Sequence, residues 1–476
     1  MPRYLAFDLG AESGRAIVGT IAGGRVGIEE VHRFPNRQVS EAGHLHWDVP
    51  YLFGELKKGL SLALGRGELA SLGIDSWGVD FALVGADGAL REPPYSYRDS
   101  RTDGVMPRVF AKMSREEIFA ATGTQCMQIN SLFQLYAARQ AEPRGLDAST
   151  RLLLIADLFN FLFTGVQCSE YTLATTSQLL NAPRREWDRE LFARVGLPLS
   201  LMAPIVQPGT VIGPVSPGIL REVGGAAKPV SVVAVGCHDT ASAVAAVPAG
   251  GDDWAFLSSG TWSVIGAELG GPILTADALA HGFGNEGGVG GTIRFLRNVM
   301  GMWLLEELRR GWQREGKVYG HDDVAALASA AGKAEATIDP EDRAFLNPPD
   351  MAEAIRGYCR RTGQREPRTD GELVRCVLES LALKYGAVLS TLNRVAGRSV
   401  ARLHIVGGGS RNDLLNQMTS DVCGVPVSAG PVEAAALGNI LVQAMAGGVV
   451  ASVAEGREIV RRSFPVKEFR PNDQGR

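Results

Sequence analysis

The stretch YLAFDLGAESGRAIVGTI, residues 4–21, consists of two apolar runs separated by a turn that contains glycine at both ends. Apolar runs on either side of a glycine-rich turn are typical of a β-hairpin. A later stretch, AFLSSGTWSVIG at residues 255–266, repeats this arrangement loosely: a strand, a glycine-containing turn and a second apolar strand. Because each half of the chain begins with such a hairpin, the sequence suggests a duplication. We expect two α/β domains that face each other across a cleft.

The length and composition are those of a globular protein with more than one core. A chain of 476 residues is too long for a single hydrophobic core. We expect domains at 1–246 and 247–476, with the connection at VPAGGDD, residues 247–253. Lysine and arginine total 48 and aspartate and glutamate 52, which gives a net charge of -4. Because no basic stripe is present, the sequence argues against nucleic acid as a partner.

Three features bear on location. The N-terminus, MPRYLAFDLG, lacks the basic and long apolar regions of a signal peptide. The uncharged run 195–220 is interrupted by prolines, and the run 434–454 contains polar residues and a glycine pair, which favours a buried helix followed by a turn over a membrane span. The six cysteines form no CxxC pair. We therefore expect a cytoplasmic protein with reduced thiols and no membrane segment.

Three further stretches predict local structure. Residues 203–218, APIVQPGTVIGPVSPG, are rich in proline and glycine and favour a loop. Residues 371–392 have apolar side chains at helical spacing. The stretch 401–406, ARLHIV, predicts a strand that leads through a GGG turn into a helix, at whose start Ser410 and Asp413 have capping-box spacing.

The first hairpin turn is a candidate phosphate-binding site. Glycines at residues 10 and 14 allow successive backbone N–H groups to approach phosphate oxygens, and Arg15 could add positive charge. Asp8 lies at the end of the preceding strand, where a carboxylate could hold a hydrated Mg²⁺. The alternative is an ordinary hairpin with a surface aspartate, which the residues of this turn alone do not exclude.

The second half offers two further candidate turns. SSGTWS, residues 258–263, has hydroxyl groups where the first hairpin has a carboxylate, and hydroxyls can donate hydrogen bonds to phosphates. VGGGSRND, residues 406–413, connects a strand to a helix and permits close approach of a nucleotide. It lacks the last glycine of a dinucleotide fingerprint, and the chain contains no P-loop motif. A Ser/Thr-rich loop and a plain strand-to-helix connection remain the alternatives.

The stretch VGCHDTASAV, residues 235–244, places Asp239 among small and apolar neighbours, where a charge needs a partner or a task. It could accept a proton from a substrate hydroxyl, as a phosphotransferase requires, or it or Thr240 could cap the following helix. These two interpretations are equally compatible with the local sequence. His44 and His46 resemble a zinc pair, but no clustered third ligand accompanies them, so we do not expect zinc there.

Six motifs in this order decide the family: DLGAESGR, GIDSWGVDF, YRDSRT, GCHDTASAV, LSSGTWS and VGGGSRNDLLNQ. Together they resemble the FGGY carbohydrate kinases, whose fold consists of two actin-like ATPase (ribonuclease H-like) domains, over about residues 4–464. The resemblance implies ATP-dependent phosphorylation of a ketose. It is closest to members that convert L-rhamnulose to L-rhamnulose 1-phosphate in L-rhamnose catabolism. The alternatives are L-fuculose, a pentulose or glycerol as the substrate, or a non-catalytic nucleotide-binding sensor.

The same resemblance implies the site residues. It places the catalytic base on Asp239. The expected partners are the sugar, ATP and Mg²⁺, and neither nucleic acid nor a membrane is expected as a partner. The implied sugar contacts are Gly78, His238, Asp239, Thr240 and Asn298. The implied ATP contacts are Ala11, Glu12, Ser13, Gly14, Arg15, Thr261 and Gly408. One position departs from the family pattern: Glu306 stands where a glutamine often contacts ATP, and a carboxylate near nucleotide phosphates would be unfavourable.

Overall fold

The computed structural model describes residues 1–142, 146, 149–225, 228–346 and 348–472. The chain forms two compact units, each built from several segments. The first unit contains Met1–Pro248, Glu268–Phe295 and Ala434–Ser463. The second contains Ala249–Ala267, Leu296–Glu433 and the residues from Phe464 onward. The predicted two-domain α/β class is confirmed, whereas a domain boundary at 246/247 stays a prediction.

Strands and helices alternate along much of the chain. The strands are β1 (Arg3–Leu9), β2 (Ser13–Ala22), β3 (Arg25–Pro35), β4 (Gln38–Glu41), β5 (His44–Trp47), β6 (Ser71–Ser76), β7 (Phe81–Val84), β8 (Arg151–Leu154), β9 (Ser169–Glu170), β10 (Leu180–Asn181), β11 (Glu186–Trp187), β12 (Ile205–Val206), β13 (Thr210–Pro214), β14 (Ser231–Ala234), β15 (Trp254–Ser259), β16 (Trp262–Leu269), β17 (Gly284–Gly287), β18 (Ile293–Met300), β19 (Arg402–Val406), β20 (Val427–Ala429) and β21 (Lys467–Phe469).

The α-helices are α1 (Val49–Leu64), α2 (Val105–Phe110), α3 (Arg115–Thr122), α4 (Ser131–Ala141), α5 (Ile155–Thr164), α6 (Tyr171–Ala174), α7 (Arg189–Val195), α8 (Pro217–Glu222), α9 (Asp239–Ala245), α10 (Ala276–Ala280), α11 (Trp303–Arg314), α12 (His321–Ala330), α13 (Met351–Arg361), α14 (Asp370–Ala396), α15 (Asp413–Cys423), α16 (Ala434–Ala446) and α17 (Val453–Ser463). Short 3-10 helices lie at Ser100–Thr102, Thr175–Ser177, Leu199–Leu201, Val289–Gly291, Arg343–Phe345 and Gly408–Arg411.

The first unit is built on a sheet with the strand order β13-β14-β6-β1-β2-β3. Strands β14, β6 and β1 are parallel, and the predicted hairpin β1–β2 continues the sheet in antiparallel pairing. Every residue of β6 is buried, as expected for a parallel strand covered on both faces. Helix α16 packs against β1 and β6, and Gln443 on this helix donates to the backbone oxygen of Leu5 at 3.0 Å.

The second unit repeats this plan. Its hairpin β15–β16 is antiparallel, and β19 lies parallel to β15 as β6 does to β1. Strand β20 continues in parallel, and β18 pairs on the far side of β16. The predicted helix over residues 371–392 is confirmed as α14, which begins with a capping box of Thr369 and Glu372 and ends at Gly397 in the left-handed conformation.

Two local predictions are wrong. Residues 203–218 are not simply loop, because they contain β12, β13 and the start of α8. Strand β13 is an edge strand that ends at Pro214, and an edge position tolerates a residue without an N–H donor. Ser410 does not cap the helix that follows it. Asn412 is the N-cap residue and accepts from the N–H of Leu415 at 3.0 Å, while Ser410 Oγ donates to the Gly407 oxygen.

The run 434–454 is a buried helix followed by a turn, as predicted. Helix α16 ends at Ala446, and Gly448 then adopts a positive φ of 69°. Within the part of the chain that the structure describes, no helix combines the length and the apolar character needed to cross a membrane.

Candidate active site

Three strand ends of the first unit meet at one edge of its sheet. The N–H of Trp77, just after β6, donates to the Leu9 oxygen at the end of β1, at 3.1 Å. The N–H of Ser76 donates to the oxygen of Cys237, in the loop after β14, at 2.8 Å. Ligands of open α/β sheets bind at the carboxyl ends of the strands. This edge brings together the predicted residues near Asp8, Gly78 and His238–Asp239.

Asp239 is the first residue of α9, and His238 occupies the N-cap position without a side-chain capping bond. The interpretation of Asp239 or Thr240 as the helix N-cap is therefore wrong. Oδ1 of Asp239 accepts from the N–H of Thr240 and, at 3.1 Å, from Thr240 Oγ1. Burial raises the pKa of the Asp239 carboxyl; His238 opposes this rise, and the charge of Asp8 adds to it.

Helix α9, which begins at Asp239, packs closely against α16, and this packing requires a small residue at the contact. A Cβ at Gly438 of α16 would overlap the backbone oxygen of Ser242 in α9. The glycine thus permits close packing of the two helices, which fixes the position at which α9 begins.

The tip of the β1–β2 hairpin holds the predicted phosphate-binding residues. In the register of this hairpin Asp8 lies opposite Arg15, and the two side chains form an ion pair. Asn36 ties the turn to β3, because its side-chain amide donates to the Gly10 oxygen at 2.9 Å and its backbone N–H donates to the Glu12 oxygen at 2.9 Å. The predicted residues Ala11 and Glu12 thus lie in an anchored turn, and Ser13, Gly14 and Arg15 begin the strand β2 that follows it.

Asp75 is a residue that the sequence analysis did not single out. It lies on β6 in register with Asp8 on β1, so two neighbouring parallel strands carry carboxyl groups side by side. Oδ2 of Asp75 accepts from the Asn439 amide at 2.6 Å, whereas Oδ1 is buried without a hydrogen bond among the described residues. Burial raises the pKa of Asp75 well above its ordinary value, and the charge of Asp8 adds to this rise. The sequence did contain a signal for Asp75: an aspartate occurs near the end of each of the two strand stretches YLAFDLG and SLGIDSWG.

The donor set at this edge can be compared with the needs of Mg²⁺. In the described ranges no three His, Cys, Asp or Glu side chains are grouped as a complete protein metal site. Mg²⁺ in phosphotransfer sites usually needs only one or two carboxylates together with phosphate oxygens and water. The Asp8 carboxylate beside the buried, unpaired Oδ1 of Asp75 fits that need.

His238 contacts two buried charged residues that the sequence analysis also missed. Its Nδ1 lies 3.0 Å from Glu286 Oε2 and 3.2 Å from Arg294 Nη2, and its Nε2 lies 3.4 Å from Asp239 Oδ1. Arg294 and His238 both lower the pKa of Glu286, against the effect of its burial. Glu286 and Arg294 follow Asp239 by about 50 residues in glycine-rich sequence, where no local pattern marks them.

The buried carboxylate of Glu170 fixes the loop that carries His238. Oε2 of Glu170 accepts from the N–H of Cys237 at 3.1 Å and from Thr172 Oγ1 at 2.6 Å. Thr172 Oγ1 in turn accepts from the N–H of His238 at 3.2 Å. Burial raises the pKa of Glu170 to about 7, although these hydrogen bonds act in the opposite direction. Two successive backbone amides just before Asp239 are therefore fixed.

The loop after β6 is held by Asp80 in a strained conformation. Asp80 is fully buried, and its Oδ2 accepts from the indole N–H groups of Trp47 and Trp77 at 2.6 and 3.0 Å. Val79 has a φ of +68°, which is uncommon for a β-branched residue. The predicted sugar contact Gly78 packs so closely that a Cβ there would lie 2.9 Å from Thr176 Oγ1. Strain of this kind is often found at functional sites.

His44 and His46 have structural partners. Nδ1 of His44 lies 3.0 Å from Asp99 Oδ1, and Nδ1 of His46 lies 3.0 Å from the Pro93 oxygen. Both rings also pack on Tyr95.

In the second unit, two of the predicted ATP residues lie in turns that meet. Gly407–Gly409, at the end of β19, packs against Ser259 at the end of β15, and a Cβ at Gly409 would overlap the Ser259 hydroxyl. Thr261 lies in the β15–β16 turn, where its oxygen accepts from Trp303 N–H at 3.3 Å. Gly408 itself has open space on its Cβ side. The second hairpin and the GGG turn thus form one surface.

The remaining two predicted residues lie on neighbouring elements of this unit. Asn298 is a half-buried residue of β18, and Glu306 lies in the first turn of α11. Both carboxylate oxygens of Glu306 accept from Arg309 Nη1, each at 2.9 Å. Arg309 therefore offsets the negative charge that made this position a departure from the pattern.

The chain is similar to known sugar kinases over nearly its full length. The chain is 45% identical to a rhamnulokinase from Bacteroides thetaiotaomicron, across 99% of this chain and 96% of the relative. It is 43% identical to a rhamnulokinase from Pectobacterium carotovorum, across 98% and 92%. A ligand-bound xylulose kinase from Lactobacillus acidophilus superposes with a TM-score of 0.81 at 15% identity, covering 99% of this chain and 94% of that one. A Plasmodium falciparum glycerol kinase with ADP gives 0.77 at 16%, covering 100% and 95%.

The solved structures, at such low identity, show the fold alone, and they confirm the predicted actin-like α/β class. The family models decide the membership. The N-terminal domain model of the FGGY carbohydrate kinases matches residues 3–246, and the C-terminal domain model matches residues 255–447. The chain belongs to the FGGY family of carbohydrate kinases.

Proposed function

We propose that this protein transfers the γ-phosphoryl group of ATP to L-rhamnulose and gives L-rhamnulose 1-phosphate, with Asp239 as the general base. The observation that carries the proposal is the position of Asp239 at the strand edge, next to the Asp8 hairpin. Relatives named rhamnulokinases, similar over nearly the full chain, support the choice of sugar. The reaction would take place in the cytoplasm, where the six free thiols would stay reduced.

Asp239 has one oxygen available for the proton. Its contacts within the described residues, from Thr240 and His238, all involve Oδ1. Oδ2 would accept the proton of the primary hydroxyl of the sugar while that oxygen attacks the γ-phosphorus and ADP leaves. A general base works best when its pKa is close to the working pH, and burial raises the pKa of Asp239 in that direction.

The other residues would bind and orient the two substrates. The proposed sugar contacts are Gly78, His238, Thr240 and Asn298. The proposed ATP contacts are the stretch Ala11–Arg15 in the first unit, and Thr261, Gly408 and the Arg309-paired Glu306 in the second. Asp8, beside Asp75, would hold Mg²⁺, which neutralises phosphate charge when it is bound with ATP. Positioning and electrostatic stabilisation supply most of the rate enhancement in such reactions.

The test is ADP release from purified protein with Mg-ATP and a panel of L-rhamnulose, L-fuculose, L-ribulose, D-xylulose and glycerol. We expect a strong preference for L-rhamnulose. Asp239→Asn should lower kcat by about 10²–10⁴-fold, the usual contribution of a general base, without loss of the folded state. The control is Asp277→Asn, since Asp277 also lies in the first turn of a helix but its side chain is 45% exposed.

Preference for another sugar on the panel would overturn the substrate and keep the mechanism. Full activity of Asp239→Asn would overturn the role of Asp239. If ATP binds but no sugar causes ADP release, the proposed reaction is wrong.

A further inference from the structure

The imidazole of His238 lies between charged groups on both of its nitrogens. On one side, Nδ1 faces Arg294 Nη2 at 3.2 Å and Glu286 Oε2 at 3.0 Å. On the other side, Nε2 faces Asp239 Oδ1 at 3.4 Å. The side chains of Arg294 and Glu286 are 0% and 7% exposed. A buried charged pair beside a proposed base is costly to desolvate, and the reaction above does not use it.

Nδ1 cannot bind both of these neighbours with the same proton arrangement. A guanidinium only donates hydrogen bonds, so a bond from Arg294 requires a lone pair on Nδ1. A carboxylate only accepts, so a bond to Glu286 requires a proton on Nδ1. The two contacts therefore correspond to different tautomers or charge states of His238.

The geometry distinguishes between these states. The contact from Arg294 Nη2 to Nδ1 has the alignment of a hydrogen bond. Glu286 Oε2 is buried and makes no aligned hydrogen bond within the described part of the chain, although it lies 3.0 Å from Arg294 Nη2. Arg294 is also anchored, because its Nε donates to the Gly287 oxygen at 2.9 Å. The aligned contact from Arg294 favours Nδ1 as an acceptor, with the ring proton on Nε2.

We propose that Arg294 and Glu286 are positioning residues that fix the tautomer of His238, with Nδ1 bare and the proton on Nε2, facing Asp239. This inference rests on the proposed function insofar as Asp239 is the base. Nε2 lies 3.4 Å from Oδ1, the oxygen that already accepts from Thr240. His238 and Thr240 therefore both lie on the Oδ1 side of the carboxyl group, which leaves Oδ2 for the hydroxyl proton of the sugar.

Glu286 supplies the charge that allows a guanidinium at this depth. The Arg294–Glu286 pair is neutral as a whole, so Arg294 can donate to His238 without placing a net positive charge beside Asp239. An uncompensated guanidinium there would stabilise the ionised form of Asp239 and make it a weaker base.

The test is the tautomer of His238 in the full-length protein, measured by ¹⁵N NMR of labelled histidine. Spectra that correlate the ring nitrogens with the carbon-bound ring protons show which nitrogen carries hydrogen, and His238→Asn assigns the signals. In the wild-type protein at neutral pH we expect a proton on Nε2 and a bare Nδ1. A proton on Nδ1, either in the other tautomer or in an imidazolium bound to Glu286, would overturn the proposal. This measurement needs no variant of the pair.

Variants of the pair extend the test. Arg294→Met removes the donor, so the ring should shift toward the tautomer that donates from Nδ1 to Glu286, and kcat should fall roughly ten- to a hundredfold, as when outer partners of functional imidazoles are removed. Arg294→Lys keeps a hydrogen-bond donor, so it should restore part of the wild-type tautomer population and part of the wild-type kcat. Folding is checked by the thermal transition. An unchanged tautomer in a folded Arg294→Met protein would contradict the inference.

The matched control is Arg457→Met. Arg457 and Glu268 form another well-buried pair of the first unit, at 2.6 Å, with side chains 13% and 12% exposed. This variant should leave the His238 tautomer unchanged. A protein that shows the expected tautomer but no rhamnulose-dependent ADP release would overturn the proposed function alone. An active protein with the other tautomer would overturn the positioning role alone.

Discussion

The two hairpins of this protein have the same backbone plan but different side chains at their strand ends. In the first, Asp8 lies opposite Arg15 and beside Asp75 on the parallel neighbour. In the second, Ser258 lies beside Val406 in the corresponding parallel pair. The first unit therefore concentrates carboxylates at its strand edge, and the second presents hydroxyls and a glycine turn. Under the proposed function, the two units would take different tasks, proton and metal handling in the first and phosphate binding in the second.

The largest effect should come from giving the first hairpin the side chain of the second. We expect Asp8→Ser to lower kcat at least about 100-fold, the scale seen when one group that stabilises transition-state charge is removed, and to raise the Mg²⁺ concentration needed for half-maximal activity. Steady-state ADP release at varied Mg²⁺ measures both.

Glu30→Gln, an exposed position on the adjacent strand β3, is the control for Asp8→Ser. If Asp8→Ser retained wild-type kcat at wild-type Mg²⁺, the two hairpins would not differ in task.

A smaller effect should follow from disturbing the glycine contact of the second hairpin. In Gly409→Ala the new methyl group would overlap the Ser259 hydroxyl, and overpacking of this kind costs about 1–3 kcal/mol. The thermal transition should fall by several degrees. In Gly408→Ala the Cβ enters open space, so its transition should stay near that of the wild type. Equal transitions for the two variants would show that Ser259 and the GGG turn do not pack as described.

The smallest effect concerns the one carboxylate proposed near ATP in the second unit. Arg309→Met leaves Glu306 unpaired, and the proposed ATP contact then becomes repulsive. We expect the KM for ATP to rise about two- to fivefold, since ion pairs near the protein surface are typically worth up to about 1 kcal/mol, and the increase should shrink at high salt.

Adding Glu306→Gln should cancel the change caused by Arg309→Met. Arg310→Met breaks the neighbouring pair with Glu307 and serves as the control. An unchanged KM in Arg309→Met would place Glu306 away from the nucleotide.

The sequence predicted those parts of the fold that depend on local periodicity. Both hairpins and α14 have patterns that span many residues, and the structure confirms them. The strand β13 was missed because an edge strand tolerates the proline and glycine that otherwise indicate a loop. The cap of α15 was placed two residues early, since Ser410 instead bonds the turn before it.

The residues of the candidate site also fall into two groups, those that the local sequence predicts and those that it does not. Asp8 and Asp239 could be singled out because each is a charge at the end of an apolar strand. The roles of Glu170, Glu286 and Arg294 depend on contacts between segments far apart in the sequence. No local pattern distinguishes such residues from ordinary surface charges, so only the folded structure shows that they surround His238.

The return of α16 to the first unit has a consequence for synthesis of the chain. Asn439, which holds Asp75, and Gln443, which binds the backbone of β1, belong to a segment that begins only at Ala434, long after the first stretch of that unit ends at Pro248. At typical ribosomal speeds, roughly 10–40 s separate the two points. During that interval the sheet edge that carries Asp8 and Asp75 lacks its covering helix. The hydrogen bond from Asn439 to Asp75 can therefore form only after the C-terminal part of the chain has been made, and a fragment that stops short of Ala434 would lack it.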